Sequence, residues 1–202
     1  AKRGLGLQAK VLLLVLLPVL IVTLALETFS AFHTRQDTYD SLSEQRALLI
    51  EERRESVRDI VQMATSAIAP IYEQAGANDQ EAKARAAEIL RAMRFDGENY
   101  IFVYAEDGTN VVLPLSPARE GTNLSDLQAP DGTYIVRDFI SVGQGGGGYY
   151  EYPWEYPGTN EPQPKLSYIG QLEKWGWVVG AGVYISDVDE VMAAIEADAA
   201  AD

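Results

Sequence analysis

The sequence predicts an α+β fold, a long amphipathic helix followed by an antiparallel sheet of about five strands. Three observations carry this. Thr34 to Gln74 contains no glycine and one proline, Pro70, and its apolar residues recur at three- and four-residue steps. Between residues 100 and 184, short runs of β-branched and aromatic residues alternate with glycine, proline and aspartate turns. The resulting order is helices, two strands, short helices, three strands and a helix, which is that of an α+β domain.

The first element is apolar. Val11 to Leu26 carries no charge, and extension to Phe32 adds only Glu27. A helix over residues 11–32 is about 33 Å long, enough for the roughly 30 Å hydrocarbon core of a bilayer. Pro18 is tolerable in such a helix. Lys2, Arg3 and Lys10 on one flank and Glu27 on the other place the N-terminus in the cytoplasm. The expectation is a single-pass anchor in the inner membrane, with residues 1–10 cytoplasmic and the main domain periplasmic. The competing reading is a cleaved signal peptide, whose apolar region is usually shorter and followed by an A-x-A-like site. Ala1 fits a natural start after removal of an initiator methionine. If Asp202 ends the protein, there is one crossing and no cytoplasmic output domain.

After the anchor, Leu42, Leu49, Val57, Ile60, Val61, Ala64 and Ile68 mark the apolar stripe of the long helix, with Glu51, Glu52, Arg53, Arg54 and Glu55 as its solvated face. Gly76 to Asp79 breaks it, and Asn78 or Asp79 caps a second helix over Gln80–Met93. Tyr100–Tyr104 and Val111–Leu113 form a hairpin around Glu106-Asp107-Gly108. Ser125–Gln128 reads as a helical turn and Tyr134–Val142 as a short helix. Tyr149–Tyr152, Lys165–Gly170 and Trp177–Tyr184 are the remaining strands. The last helix starts at Ser186, with Asp189 and Glu190 suited to its N-terminal dipole and Val188, Val191, Met192 and Ile195 as its stripe. Residues 196–202 form an acidic tail.

Composition excludes several functions. The net charge is −14, and after Lys10 the chain holds 13 basic against 30 acidic residues, so nucleic acid is not an expected partner. Without cysteine there is no disulfide, thiolate nucleophile or thiolate metal site. His33 is the only histidine and belongs to the membrane-flanking region. There is no H-E-x-x-H, and the glycines at 145–148 are not followed by Gly-Lys-Ser/Thr, so they read as a connection rather than a phosphate loop. No enzyme activity, metal or cofactor is expected.

The aromatic-rich segment from Arg94 to Tyr184 is the candidate binding region. Tyr100, Phe102 and Tyr104 share one strand face, and Tyr150 and Tyr152 share another. Lys165 opens a strand predicted to be buried, where a lysine needs an anionic partner or water. An apolar pocket with few polar groups is how small ligands are usually held. The alternative is that the tyrosines are core and rim packing and Lys165 is at the surface.

Several strings resemble a known family, the single Cache domain of the second subtype: Tyr100-Ile-Phe-Val-Tyr104-Ala-Glu-Asp-Gly108-Thr, Gly121-Thr-Asn-Leu124, Pro130-Asp-Gly132, Gly148-Tyr-Tyr-Glu-Tyr152, Pro164-Lys-Leu-Ser-Tyr168 and Trp175-Gly-Trp-Val-Val-Gly-Ala-Gly-Val-Tyr184. They occur in order across residues 34–195, within a domain placed at 33–195. The resemblance implies a PAS-like sheet backed by a long helix, and extracytoplasmic sensing in chemoreceptors and sensor kinases. It implies a small carboxylate ligand met by Lys165, with Tyr100, Tyr104 or Tyr168 and Arg94 assisting. Many relatives carry histidine–proline after the first hairpin, where this chain has Leu113-Pro114. They also continue into a second membrane helix and a signalling module.

Two functions follow as alternatives: a membrane-anchored sensor of a small organic acid that signals through partners, or a non-enzymatic accessory subunit of a larger membrane complex that reuses the fold for docking. The long helix suits pairing with a second copy, packing on other membrane subunits, or packing on its own sheet.

Overall fold

The computed structural model describes the backbone of residues 7–159 and 161–201, and the side chains of 18–29, 41–159, 161–195 and 197. The expected Ala1 start, the basic flank of Lys2, Arg3 and Lys10, the first side chains of the apolar run, and the side chain of His33 lie outside the described residues.

Helix α1 (Leu7–Gln74) runs unbroken from the apolar segment into the amphipathic one, with Pro18 and Pro70 inside it. Among the described residues, no helix is long and apolar enough to cross a membrane. Within the described part of the apolar run, Val19, Leu20, Ile21, Val22, Leu24, Leu26 and Phe29 are each more than half exposed. Further along, Val57, Val61, Ala64 and Ile68, at steps of four, three and four, form a fully buried stripe on the sheet. The helix ends at Lys174: its backbone N–H donates to the Tyr72 hydroxyl (2.9 Å), and its Nζ donates to the carbonyls of Tyr72, Glu73 and Ala75. A cation there satisfies end carbonyls and complements the dipole.

Helix α2 (Gln80–Ala92) is capped by Asp79, whose carboxylate accepts the Ala82 N–H at 3.0 Å. The sheet then has six strands: β1 (Arg94–Phe95), β2 (Asn99–Ala105), β3 (Asn110–Val112), β4 (Gly148–Glu155), β5 (Pro162–Leu172) and β6 (Trp177–Tyr184). Their order is β1-β2-β6-β5-β4, with β3 also paired to β2 and every described pairing antiparallel. Five match the expected runs; the two-residue β1 is too short to show a period. Helix α3 (Ile135–Gln144) joins β3 to β4, and α4 (Ser186–Ala201) follows β6. Strand β4 pairs only with β5 and lies at the sheet edge, where Pro153 costs no ladder bond.

The layers follow from alternation along the strands. Ile101, Val103, Val179 and Ala181 face α1 and α2. Tyr100, Phe102, Tyr104 and Val178 face α3 and the 113–135 loop.

Three expectations are corrected. Ser125–Gln128 is an irregular turn and not helical, because its backbone is tied to the hairpin: the Leu124 N–H donates to the Gly108 carbonyl at 2.9 Å and the Asn123 amide to the Asp107 carbonyl at 2.5 Å. Arg53 and Arg54 are not part of a purely solvated face. Arg53 pairs with Asp187 of α4 at 2.5 Å, and the Arg54 guanidinium lies 5.5 Å from the Tyr149 ring centroid. Of the α4 stripe, Val188 is buried and Met192 half-buried, whereas Val191 and Ile195 are exposed, and Arg46–Asp189 and Arg53–Asp187 pair α1 with the first turn of α4. The backbone of α4 runs on through residues 196–201 of the acidic tail.

Candidate functional site

The face of the sheet under α3 carries a buried cation. Lys165 sits on β5 directly opposite Tyr152 of β4 and Tyr184 of β6. Directly paired residues in an antiparallel ladder project to the same face, so these three side chains converge. Lys165 is 0% exposed, and among the described residues its Nζ has no hydrogen-bond partner. The ammonium lies 4.5 Å from the Tyr100 ring centroid and 4.8 Å from that of Tyr184, within cation–π range of both. Such contacts recover only part of the hydration a lysine loses on burial. Burial accordingly pushes the Lys165 pKa down to about 7.

The phenols around it hold their protons. Burial pushes Tyr100 up to about 12, against a hydrogen bond from Trp154 that favours its ionised form. Burial also raises Tyr104, Tyr152 and Tyr184. The Trp154 indole N–H donates to the Tyr100 hydroxyl at 3.1 Å, the Tyr152 and Ser167 hydroxyls share a hydrogen bond of 3.1 Å, and the Tyr184 hydroxyl donates to the Glu155 carbonyl at 2.5 Å. The site is thus a buried amine set between aromatic ring faces, with neutral phenols around it.

Two glycines of β6 make room for it. Gly180 pairs with Phe102, and a Cβ there would lie 2.3 Å from that ring, so the Phe102 side chain folds flat across bare backbone. A Cβ on Gly182 would lie 2.1 Å from the Ser167 hydroxyl oxygen, 3.0 Å from the Leu166 carbonyl oxygen and 3.0 Å from Cε of Lys165. Gly182→Ala is therefore expected to destabilise the chain by about 1–3 kcal/mol and to displace the lysine head. Thermal melts and carboxylate titration check this; a variant as stable and as competent as the wild type would show that the floor has slack.

Helix α3 closes the face. Phe139 stacks on Phe102 (centroids 5.0 Å, 22° between planes) and meets Tyr152 edge-on at 5.0 Å. Tyr150 anchors the same helix through a hydrogen bond from its hydroxyl to Asp138. Leu113 is buried in this cluster.

Of the candidate residues, Tyr100, Phe102, Tyr104, Tyr152 and Lys165 are brought together, with Tyr150 at the rim. Tyr168 is not among them. It lies three residues from Lys165, hence on the opposite face, packed edge-on against Tyr149 at 5.1 Å on the α1 side. Arg94 is also elsewhere: its guanidinium is exposed and donates to the carbonyls of Arg91 (2.7 Å) and Met93 (2.8 Å) at the end of α2. The reading of the sequence missed Trp154, Ser167, Tyr184 and Phe139. Ser167 and Trp154 were open to it, lying two positions beyond Lys165 and Tyr152 on the same faces. Tyr184 needed the strand register and Phe139 the docking of α3.

Comparison with known proteins fits this geometry. The chain is 35% identical over 191 residues to the sensor histidine kinase MctS of Rhizobium johnstonii, covering 95% of this chain and 41% of that protein. It therefore spans less than half of that relative's length. A crystal structure of a methyl-accepting chemotaxis protein from Vibrio parahaemolyticus matches with a TM-score of 0.68 and 36% identity, over 73% of this chain and 99% of that one. A Cache chemosensory domain solved for its recognition of carboxylic acids matches with a TM-score of 0.62 and 27% identity, over 68% and 96%. The sequence pattern of single Cache domain 2 matches residues 49–198, and the chain belongs to that family.

Proposed function

We propose that this chain is the extracytoplasmic ligand-binding part of a membrane-anchored sensor, and that Lys165 binds the carboxylate of a small organic acid. The observation that carries the reading is the fully buried Lys165 ammonium, without a hydrogen-bond partner among the described residues and set between the Tyr100 and Tyr184 rings. A carboxylate oxygen at Nζ would supply the missing counter-charge, and charge-assisted hydrogen bonds of that kind contribute about 1.5–3 kcal/mol. Tyr100, Tyr152 and Tyr184 are placed to complete its coordination, with Tyr104 and Phe102 forming the apolar wall. The solved Cache domain that recognises carboxylic acids supports the ligand class.

Residues 11–32 anchor the domain with the N-terminus in the cytoplasm, a reading supported by the uncharged run and its basic flank. The route out of the site runs through Tyr184, which closes the lysine cage and stands two residues before α4. Arg46–Asp189 (3.0 Å) and Arg53–Asp187 (2.5 Å) tie α4 to α1. The occupied site thereby biases the relative position of the two helices that lead toward the membrane.

The test is isothermal calorimetry of the chain in mild detergent with acetate, propionate, pyruvate, lactate and succinate. Wild type is expected to bind at least one of them, and Lys165→Met to lose about tenfold to 150-fold in affinity. A folded wild type that binds none would favour the docking function instead. Protease treatment of spheroplasts is expected to digest the domain from outside; protection would overturn the topology.

A further inference from the structure

Lys165 has no exposure, so a ligand must reach it from a neighbouring groove, and two grooves among the described residues border its surroundings, one at Tyr184 and one at Trp154. One, of about 340 Å³, lies beyond Tyr184 and is lined by Asp96, Glu98 and Asp187 against the single cation Arg53. Three carboxylates around one guanidinium repel an acid. The other, of about 310 Å³, lies beside Trp154 and is lined by Leu127, Ala129, Ile135 and Trp154, with Arg119 and Glu155 at its rim. Its wall is also the wall of the lysine site: the Trp154 indole N–H holds the hydroxyl of Tyr100, whose ring lies under the lysine head. Trp154 and Tyr152 are two positions apart on β4, their rings 5.9 Å apart, and Tyr152 is opposite Lys165.

We propose that the Trp154 groove is a tail subsite continuous with the Lys165 site, and that the domain selects monocarboxylates carrying an apolar chain. The inference rests on the carboxylate reading of Lys165. The lining is mostly apolar, with Gln128 the polar side chain besides Arg119 and Glu155, and its volume of about 310 Å³ is more than the methyl group of acetate can fill. The rim offers no net positive charge for a second carboxylate, because the Arg119 guanidinium faces Glu155 at 3.8 Å. A dicarboxylate would bring its second charge into apolar surroundings beside Glu155, at a desolvation cost that no partner offsets. An alkyl chain would displace water from apolar surface instead. For this to happen the Trp154 indole must swing from Tyr100, which makes Trp154 the movable partition between the lysine site and the groove.

The experiment is calorimetry on the wild-type chain with acetate, propionate, butyrate and valerate, and with succinate as the dicarboxylate. Affinity is expected to rise about fourfold for each methylene added. Succinate is expected to bind at least tenfold more weakly than butyrate. Ala129→Met, which extends a side chain into the groove, is expected to bring the valerate-to-acetate affinity ratio close to one. Acetate binding with no gain, or a loss, along the series would overturn the tail subsite and leave the Lys165 reading standing. So would a succinate affinity matching that of butyrate, or an unchanged ratio in folded Ala129→Met. Binding of none of the five acids would overturn the Lys165 reading, and the subsite with it. If Ala129→Met does not fold, the wild-type series decides.

Discussion

Replacing Lys165 by methionine is expected to stabilise the ligand-free chain by about 2–4 kcal/mol at pH 6 while removing its affinity for organic acids. The wild type buries an ammonium that meets two aromatic faces and, among the described residues, no hydrogen-bond acceptor. A drop in pKa from 10.5 to about 7 corresponds to a burial cost on the order of 5 kcal/mol. Cation–π contact with Tyr100 and Tyr184 offsets part of that, which sets the lower figure. Methionine has similar length, needs no acceptor and adapts to irregular space.

The pH dependence fixes the sign. The Lys165 pKa is lowered in the folded state, so between about pH 7 and pH 10.5 the unfolded chain binds more protons than the folded one. Stability of the wild type therefore rises with pH across that window through this group. The advantage of Lys165→Met is full below about pH 7 and fades toward pH 10.5. The neighbouring phenols do not blur the lower part of the window, because burial raises Tyr100, Tyr104, Tyr152 and Tyr184. Acid binding has the opposite trend: a carboxylate needs the protonated lysine, so affinity falls by up to tenfold per pH unit once the lysine of the ligand-free chain titrates, above about pH 7. Urea titrations of both chains at pH 6, 8 and 10 measure the first effect. A variant less stable than the wild type at pH 6 would mean that the folded chain satisfies this ammonium.

Phe139→Ala is expected to cost about 3–5 kcal/mol and to lower the melting temperature by roughly 10 °C. Phe139 is buried and is the one ring of α3 that touches the aromatic row on the sheet. It stacks on Phe102 and meets Tyr104, Tyr150 and Tyr152 with centroids between 5.0 and 5.9 Å. Its removal leaves a cavity bounded by strand side chains that cannot collapse, because their backbones are fixed in the sheet. It also frees α3 from the roof of the lysine site, so weaker carboxylate binding accompanies the lost stability. Met63→Ala, on the exposed face of α1, is the control and is expected to stay within about 0.5 kcal/mol. Equal effects from the two substitutions would show that α3 is not held by this contact.

The strands and the long helix were determined by the sequence alone, and Lys165 was legible there as a lysine at the start of a buried strand. Apolar residues at steps of three and four can bury a stripe only as a helix, and Val57, Val61, Ala64 and Ile68 do so. Alternating aromatics can share a face only in a strand, which sets Tyr100, Phe102 and Tyr104 together. The same period of two, applied strictly, excludes Tyr168 from the face of Lys165. Tertiary structure decided the rest. Arg94 is a donor whose use depends on what lies nearby, and the end of α2 supplies the carbonyls. Tyr184 reaches Lys165 because β5 and β6 pair in a register that places them directly opposite, although 18 intervening residues separate them in the chain. Gly180 and Gly182 read locally as weak points of a strand and become the floor of the site only when Phe102, Ser167 and Lys165 cross them. Local periodicity depends on the geometry of one element and is written in its own residues. The convergence of Lys165, Tyr100, Tyr184 and Trp154 depends on how elements pair and pack, and the physical cause of that is the burial of two faces of one sheet.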